Sequence, residues 1–195
     1  MGDHRRGQRI AAAGALVLML FAPATAPAEE LLVPINLQAQ LLFLVAGHDR
    51  TLPARAGGRV RTLVLTKAAS DSVRCAAQFK AVALAKTSVA GLPHSVEVMP
   101  FAGAASLAKT CSSRRIAIVY LTVGFTGEEA ATIGDALEGS SVLTVTAAPR
   151  LVKKGAVLGF DLVSGRAKLL VDLDRAAKQR VAFDADVLGL MTVSR

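Results

Sequence analysis

Few side chains in this sequence have the types and spacing that catalysis or metal binding requires. His48 and Asp49 are adjacent, but a zinc site needs three or four ligands, and no further His, Cys or carboxylate follows at ligand spacing. Glu128 and Glu129 fall in an expected first helical turn, where the helix dipole already favours carboxylates. The sequence therefore predicts no catalytic residue, no metal site and no cofactor.

The glycines do not form the motifs that bind nucleotides or present a nucleophile. G-x-G-x-x-G, G-x-x-x-x-G-K-[ST] and G-x-S-x-G are all absent. Hydroxyl side chains do cluster at three expected strand ends, which are Thr66–Ser70, Thr122–Thr126 and Thr146–Pro149. Ligands of parallel sheets bind at such ends, although Ser and Thr serve more often as caps and turn residues. A small ligand-binding module is thus an alternative, and a hydrolase a weaker one because no His–acid pair lies beside these hydroxyls.

The only two cysteines are Cys75 and Cys111. In an oxidising compartment an even pair predicts a disulfide, here one that would tie the second long helix to the approach of the third strand. Two free buried thiols are the alternative. Thiol catalysis would need a nearby base, and beyond residue 28 only His48 and His94 could supply it.

The first 28 residues have the pattern of a secretory signal peptide. Arginines precede the uncharged apolar run Ile10–Ala22, which is too short to span a bilayer comfortably, and Ala26–Ala28 fits a cleavage site. An uncleaved N-terminal anchor is the alternative. We predict a signal peptide over residues 1–28, cleaved after Ala28, and a single periplasmic α/β domain over residues 29–195 with no membrane span.

The predicted exported chain is basic. It would hold 20 Lys and Arg against 14 Asp and Glu, a net charge of +6. That balance favours anionic surroundings such as lipid headgroups or an acidic partner surface. Because the basic residues are scattered and the chain has one Tyr and no Trp, we predict that nucleic acid is not a partner.

Helix and strand patterns alternate through most of the chain. Strands are predicted at Val60–Thr66, Ser95–Met99, Ile116–Leu121 and Val142–Val145, and helices at 34–47, 70–86, 104–109 and 126–139. A hairpin, Ala156–Val163 with Ala167–Val171, turns at Gly165 and precedes a short helix at 173–180. The prediction is α/β: a single-domain sandwich with a mostly parallel central sheet flanked by helices and a C-terminal antiparallel hairpin.

Two apolar segments are candidates for contact with a partner or a second copy of the chain. The first helix is apolar on more than one side and carries Leu37, Leu41 and Leu44 at helical spacing. The C-terminal tail carries Leu188, Leu190 and Met191. Packing of both segments on the sheet is the alternative.

From Val142 to Phe183 the sequence reads VLTVTAAPRLVKKGAVLGFDLVSGRAKLLVDLDRAAKQRVAF. This segment resembles the C-terminal half of the YfiR-like family of small periplasmic proteins. The matching positions are Val142–Val145, Gly155, Phe160, Gly165, Lys168, Val171, Leu173, Ala176, Ala177 and Val181. The earlier segment RRIAIVYLTVGF is similar to a family strand, whereas Phe43–Arg50 lacks the Trp that often follows the family's first helix.

The resemblance implies a non-enzymatic regulator without a cofactor. Members of the family hold an inner-membrane diguanylate cyclase inactive from the periplasmic side and thereby lower cyclic-di-GMP output. Others resemble accessory proteins of sensor kinases. The implied partner is therefore an inner-membrane sensor protein, either a diguanylate cyclase or a histidine kinase, and a homodimer is the further partner that the two apolar segments would allow.

Overall fold

The computed structural model describes residues 32–194, in which helices and strands alternate. In chain order the elements are α1 (Ile35–Ala46), α2 (Leu52–Ala56), β1 (Val60–Thr66), α3 (Ser70–Ala85), β2 (Ser88–Val89), β3 (Leu92–Pro100), α4 (Ala104–Arg114), β4 (Ile118–Leu121), α5 (Gly127–Ala136), β5 (Leu143–Thr146), a 3₁₀ helix (Pro149–Lys154), β6 (Leu158–Val163), β7 (Arg166–Asp172), α6 (Leu173–Lys178), α7 (Ala185–Leu188) and β8 (Met191–Ser194). The predicted signal peptide, residues 1–28, lies outside the described residues.

The strands form one sheet in the order β2-β3-β1-β4-β5-β6-β7-β8. Strands β3, β1, β4, β5 and β6 run parallel, and β7 returns antiparallel to β6. Every residue of β4 and β5 is buried, as expected for parallel strands covered on both faces. The predicted α/β class, the mostly parallel sheet and the terminal hairpin are therefore confirmed.

Alternation along the central strands divides the core into two apolar layers. On β1, Val60 and Val64 pack with α1 and α3 on one face, whereas Leu63 and Leu65 pack with α4 and α5 on the other. This follows from the two-residue period of a strand, which points successive side chains to opposite faces. Each helix pair therefore reaches only one face of the sheet.

This layering shows that the predicted Cys75–Cys111 disulfide is wrong. Cys75 on α3 packs in the first layer, with its Sγ 4.0 Å from the hydroxyl of Tyr120, whereas Cys111 on α4 packs in the second layer. Because the sheet lies between them, the two Cα atoms cannot approach to disulfide distance. Both thiols are free and buried. Burial raises the pKa of Cys75 and raises that of Cys111 to about 12, so neither is a reactive thiolate.

The helix predicted to start at residue 126 and the hairpin predicted to turn at Gly165 are confirmed in detail. The backbone N–H of Glu129 donates to Thr126 Oγ1 at 3.1 Å, and the N–H of Thr126 donates to Glu129 Oε2 at 3.0 Å, which is the reciprocal capping box. The β6–β7 hairpin turns on Ser164 and Gly165, at φ of 52° and 74°. Two consecutive positive φ angles define the type I′ turn that suits the twist of a hairpin.

The C-terminal tail adds a strand to the sheet. After the single turn of α7, residues Met191–Ser194 add β8 to the sheet, parallel to β7. The segment before β1, where no element was predicted, also contains the short helix α2. Both elements are too short to show a helical or strand period in the sequence, so local patterning did not reveal them.

His94 on β3 is the half-buried base of a small polar network. Its Nδ1 lies 3.0 Å from the carbonyl oxygen of Lys86, and because a carbonyl can only accept, the Nδ1–H donates. In the neutral ring Nε2 then carries no proton, so it accepts from the hydroxyl of Thr62 at 3.0 Å. The ring also packs edge-on against Phe43, with centroids 4.8 Å apart. Burial lowers the pKa of His94 and outweighs the opposing hydrogen bonds from the ring to backbone carbonyls. The folded state therefore favours the neutral ring.

We expect the free energy of unfolding to decrease as the pH falls through about 6.5, the ordinary pKa of His. At pH values between the lowered pKa of His94 in the folded state and about 6.5, the unfolded chain binds more protons than the folded chain. This contribution to stability is therefore fully present above a pH of about 6.5 and is lost as the pH falls below it. Urea titrations at pH 7.5 and 5.5 measure the change. In a His94→Gln variant this part of the slope should disappear, and an unchanged slope would contradict the assignment.

Candidate functional site

The outer face of α1 presents an apolar stripe that the fold covers only in part. Leu37, Leu41 and Leu44 follow at i, i+4 and i+7, so they share one side of the helix. Leu37 and Leu41 are half-buried against the edge of the core, whereas Leu44 is 62% exposed. We call these three residues the α1 stripe. A row of leucines on one side of a helix with one of them exposed, Leu44, is a candidate contact surface.

A groove runs beside the α1 stripe, between α1 and α3. It has a volume of about 260 Å³ and is lined by Gln40, Phe43, Val82, Ala85 and Lys86. Its lining combines three apolar residues with Gln40 and Lys86. The stripe and the groove together offer apolar area with polar margins, which is the usual composition of a protein interface.

The opposite side of α1 is fixed to the sheet by a buried hydrogen-bonded side chain. Gln38 Nε2 donates to the carbonyl oxygen of Val33 at 2.8 Å, and its Oε1 accepts from the Tyr120 hydroxyl at 2.8 Å. Tyr120 in turn stacks on Phe79 of α3, with ring centroids 4.0 Å apart. Because burial raises the pKa of Tyr120 well above its usual value, the hydroxyl stays a donor. The α1 stripe therefore sits on a rigid support.

The three C-terminal candidates are placed differently from one another. Met191 is buried in the core, and Leu188 is half-buried against it. Leu190 is 77% exposed, the most exposed of the large apolar side chains. Of this set, only Leu190 can offer most of its surface to a partner.

Backbone pairing joins this region to the end of α1. The N–H of Asp184 donates to His48 O, and the N–H of Arg50 donates to Ala182 O, both at 2.9 Å. An isolated bridge between Asp49 and Phe183 lies between these two bonds. No local sequence pattern predicts this pairing, since it joins segments far apart in the chain.

The hydroxyl groups at the strand ends are used internally. Thr122 Oγ1 donates to the carbonyl oxygen of Leu65 at 2.7 Å and lies 2.6 Å from Ser72 Oγ. Thr146 Oγ1 accepts from the N–H of Ala148 at 3.1 Å. These side chains are buried and act as turn and packing residues.

An ion pair occupies the place where ligands of doubly wound sheets bind, between the ends of β1 and β4. Lys67 Nζ contacts Glu129 Oε1 and lies 5.6 Å from the ring centroids of both Phe101 and Phe125. Burial acts to raise the pKa of Glu129, but bonding to Lys67 and Thr126 and the charge of Lys67 outweigh it and lower that pKa. The carboxylate and ammonium groups thus close this end of the sheet.

His48 and Asp49 do not act together. His48 is exposed, with Nδ1 3.8 Å from Asp184 Oδ2, whereas Asp49 turns inward to a buried ion pair with Arg55. This buried pair was not predicted from the sequence. Across residues 32–194 no group of His, Cys, Asp and Glu side chains could hold a metal ion. Within the same residues, no helix has the length and apolar character needed to cross a membrane.

Comparison with known proteins decides the family. A model of the YfiR/HmsC-like family matches residues 36–191, from the first turn of α1 to the start of β8. The chain belongs to the YfiR/HmsC-like family. The match includes the α1 stripe, the groove and the segment Val142–Phe183 that carried the resemblance, so the suspected family is confirmed. No curated protein matches this YfiR/HmsC-like chain.

Solved structures share the fold of this YfiR/HmsC-like protein at low sequence identity. An ABC domain in complex with L-Trp from Streptococcus pneumoniae has a TM-score of 0.60 and 14% identity over 82% of this chain and 60% of that one. A conserved domain protein from Vibrio cholerae has a TM-score of 0.54 and 12% identity over 85% and 61%. The chain thus spans about 60% of the length of either structure, and the likeness shows the α/β fold alone.

Proposed function

We propose that this protein is an exported, non-enzymatic regulator that binds the periplasmic domain of an inner-membrane signalling protein, a diguanylate cyclase or a histidine kinase. Membership in the YfiR/HmsC-like family supports the regulatory role. The observation that carries the binding mode is the α1 stripe, which holds an exposed Leu44 on a helix fixed from behind by Gln38. No assembly of catalytic groups competes with it in residues 32–194.

The regulator acts by preferring one state of its partner. A bound protein shifts a two-state equilibrium only by the difference in its affinity for the two states. Complete inversion, from 1:99 to 99:1, requires a difference of about 5.5 kcal/mol. Burial of one exposed leucine contributes roughly 1.5–3 kcal/mol, so contacts of Leu44 that form with only one state of the partner would supply part of that difference.

We expect Leu44→Glu to abolish regulation without unfolding the protein. The side chain is exposed, so the free energy of unfolding should change by less than about 0.5 kcal/mol, while a carboxylate in an apolar interface loses contact area and is poorly solvated. Complementation of a host strain that lacks the protein measures the effect, with cyclic-di-GMP concentration or kinase output as the readout. The strain that carries this variant should give the same readout as the strain that lacks the protein.

Leu84→Glu is the matched control. Leu84 is also 62% exposed, but it lies on the neighbouring helix α3 and is not part of the α1 stripe. This variant should regulate like the wild type. If both variants complement fully, the α1 stripe is not the contact surface. If the strain that lacks the protein itself shows no change in either readout, the proposed class of partner is wrong.

The alternative of a small ligand-binding module has less support. L-Trp is bound by the Streptococcus pneumoniae domain that shares the fold, but in this chain Lys67, Glu129, Phe101 and Phe125 fill the end of the sheet where a ligand would enter. A regulator that recognises its partner through helix α1 needs no such opening.

A further inference from the structure

A second concave site lies on the α4 face of the sheet, away from the α1 stripe. It has a volume of about 520 Å³ and is lined by Arg61, Glu97, Ser113, Arg114 and Arg115. Arg61 belongs to the amino end of β1, and its side chain shares a face with Leu63 and Leu65, which pack against α4. The other two arginines come from the last turn and the cap of α4. We call this site the arginine pocket.

The arginine pocket has more positive charge than its own acids neutralise. Arg114 Nη1 pairs with Glu97 Oε2 at 2.9 Å, and both side chains are about half exposed. In the described chain, the guanidinium groups of Arg61 and Arg115 have no hydrogen-bond acceptor and no ion pair. Two arginines whose guanidinium groups have no acceptor therefore line one cavity, and planar guanidinium groups fit the oxygens of a phosphate group.

The backbone supports Arg61 and Arg115 in fixed positions. The carbonyl oxygen of Arg61 accepts from Ala117 N at 2.9 Å, so its Cα is held inside the sheet. Arg115 caps α4 at a φ of 51°, in the left-handed region where Gly is the usual residue. A Cβ added to Gly57 would lie 3.2 Å from Arg115 Nη1, so the absence of a side chain at Gly57 leaves room for the guanidinium.

Helix electrostatics explain only part of this arrangement. Cations are favoured at a helix C-terminus, which accounts for the charge of Arg114 and Arg115. This preference for cations at a helix end does not account for Arg61, because Arg61 comes from a strand. It also does not explain why the left-handed cap carries the large side chain of Arg115. Both features bring guanidinium groups to the same cavity.

We propose that the arginine pocket binds a phosphate-bearing group, with Arg61 and Arg115 as the principal donors. The pocket is open to solvent, so it can admit a phosphate group that is carried by a larger molecule. It belongs either to a dissolved phosphate ester or to the headgroup of an anionic phospholipid. This site is separate from the α1 stripe and stands whether or not the stripe binds a signalling protein.

Calorimetric titration of the full chain with inorganic pyrophosphate at about 50 mM salt, where screening is weak, tests the dissolved source. Flotation with vesicles of phosphatidylglycerol, against vesicles of phosphatidylcholine, tests the lipid source. Binding in one arm and not in the other identifies the source. Binding in neither arm overturns the proposal.

The variants Arg61→Gln and Arg115→Gly test which residues bind. Each should weaken binding at least tenfold, and Arg115→Gly should at the same time raise the midpoint of thermal unfolding, because Gly relieves the left-handed cap. Arg74→Gln is the control, since Arg74 lies on α3 and pairs with Asp71. It should stay within twofold of the wild type. An equal loss in all three variants would mean a general charge effect and would overturn the site.

Discussion

Replacement of Asp49 by Ala should lower the free energy of unfolding by about 3–5 kcal/mol. Asp49 and Arg55 form an ion pair whose side chains are 0% and 4% exposed. Burial lowers the pKa of Arg55, and the charge and hydrogen bond of Asp49 oppose that change. Without the carboxylate, the guanidinium would remain charged inside the protein with only carbonyl acceptors.

The Asp49–Arg55 pair also joins several elements. Asp49 Oδ1 accepts from the N–H of Thr51 at 2.9 Å and from its hydroxyl at 2.7 Å. Arg55 donates to the carbonyl oxygens of Ala117 and Ser141, the latter at 3.2 Å, and these residues precede β4 and β5. Removal of the carboxylate therefore loosens the connection of the α1 end to the central strands.

Urea titrations at neutral pH measure this loss, and Asp71→Ala provides the matched control. Asp71 pairs with Arg74 three residues later, and both side chains are 68% exposed. An exposed pair of this kind contributes about 0–1 kcal/mol, so the control should unfold almost like the wild type. A loss below about 1 kcal/mol for Asp49→Ala would contradict the role of the buried pair.

Gly155→Ala should lower the free energy of unfolding by more than about 4 kcal/mol, a loss that few single substitutions cause. A Cβ at this position would lie 2.1 Å from the carbonyl oxygen of Ala130 in α5. The φ of Gly155 is 147°, which a side chain also disfavours. Gly134 of α5 lies at the same close contact, since a Cβ added to it would be 2.6 Å from the carbonyl oxygen of Gly155.

Gly165→Ala separates the clash from the backbone strain. Gly165 has a φ of 74° in the hairpin turn, and a Cβ there would meet nothing within 4 Å. The expected cost is about 1–2 kcal/mol, the price of a left-handed conformation alone. Thermal unfolding of the two variants, side by side, measures the difference, and equal midpoints would show that α5 and the 3₁₀ helix do not pack as closely as described.

The parts of the fold that were predicted depend on signals between near neighbours. The capping box of Thr126 and Glu129 involves residues three apart, and the turn at Gly165 joins adjacent strands. The continuous apolar run at β4 indicated a buried parallel strand. Such features follow from short stretches of sequence, and a structure is needed only to confirm them.

The parts that failed depend on which face of the sheet a helix covers. The Cys75–Cys111 disulfide was wrong because α3 and α4 lie on opposite faces, and periodicity within a helix does not reveal its side of the sheet. Likewise Asp49 and Arg55 are six residues apart, yet their burial depends on β4 and β5. The candidate contact residues were identified as apolar, but their exposure separates Leu44 and Leu190 from the buried Met191.

The most direct test of the proposed function is photocrosslinking in intact host cells. A photoreactive amino acid at position 44 should produce an adduct with one inner-membrane protein that carries a cyclase or kinase domain, and the same residue at position 84 should not. An adduct with a second copy of the chain alone, or adducts no different from those at position 84, would contradict the claim that the α1 stripe binds a membrane signalling protein.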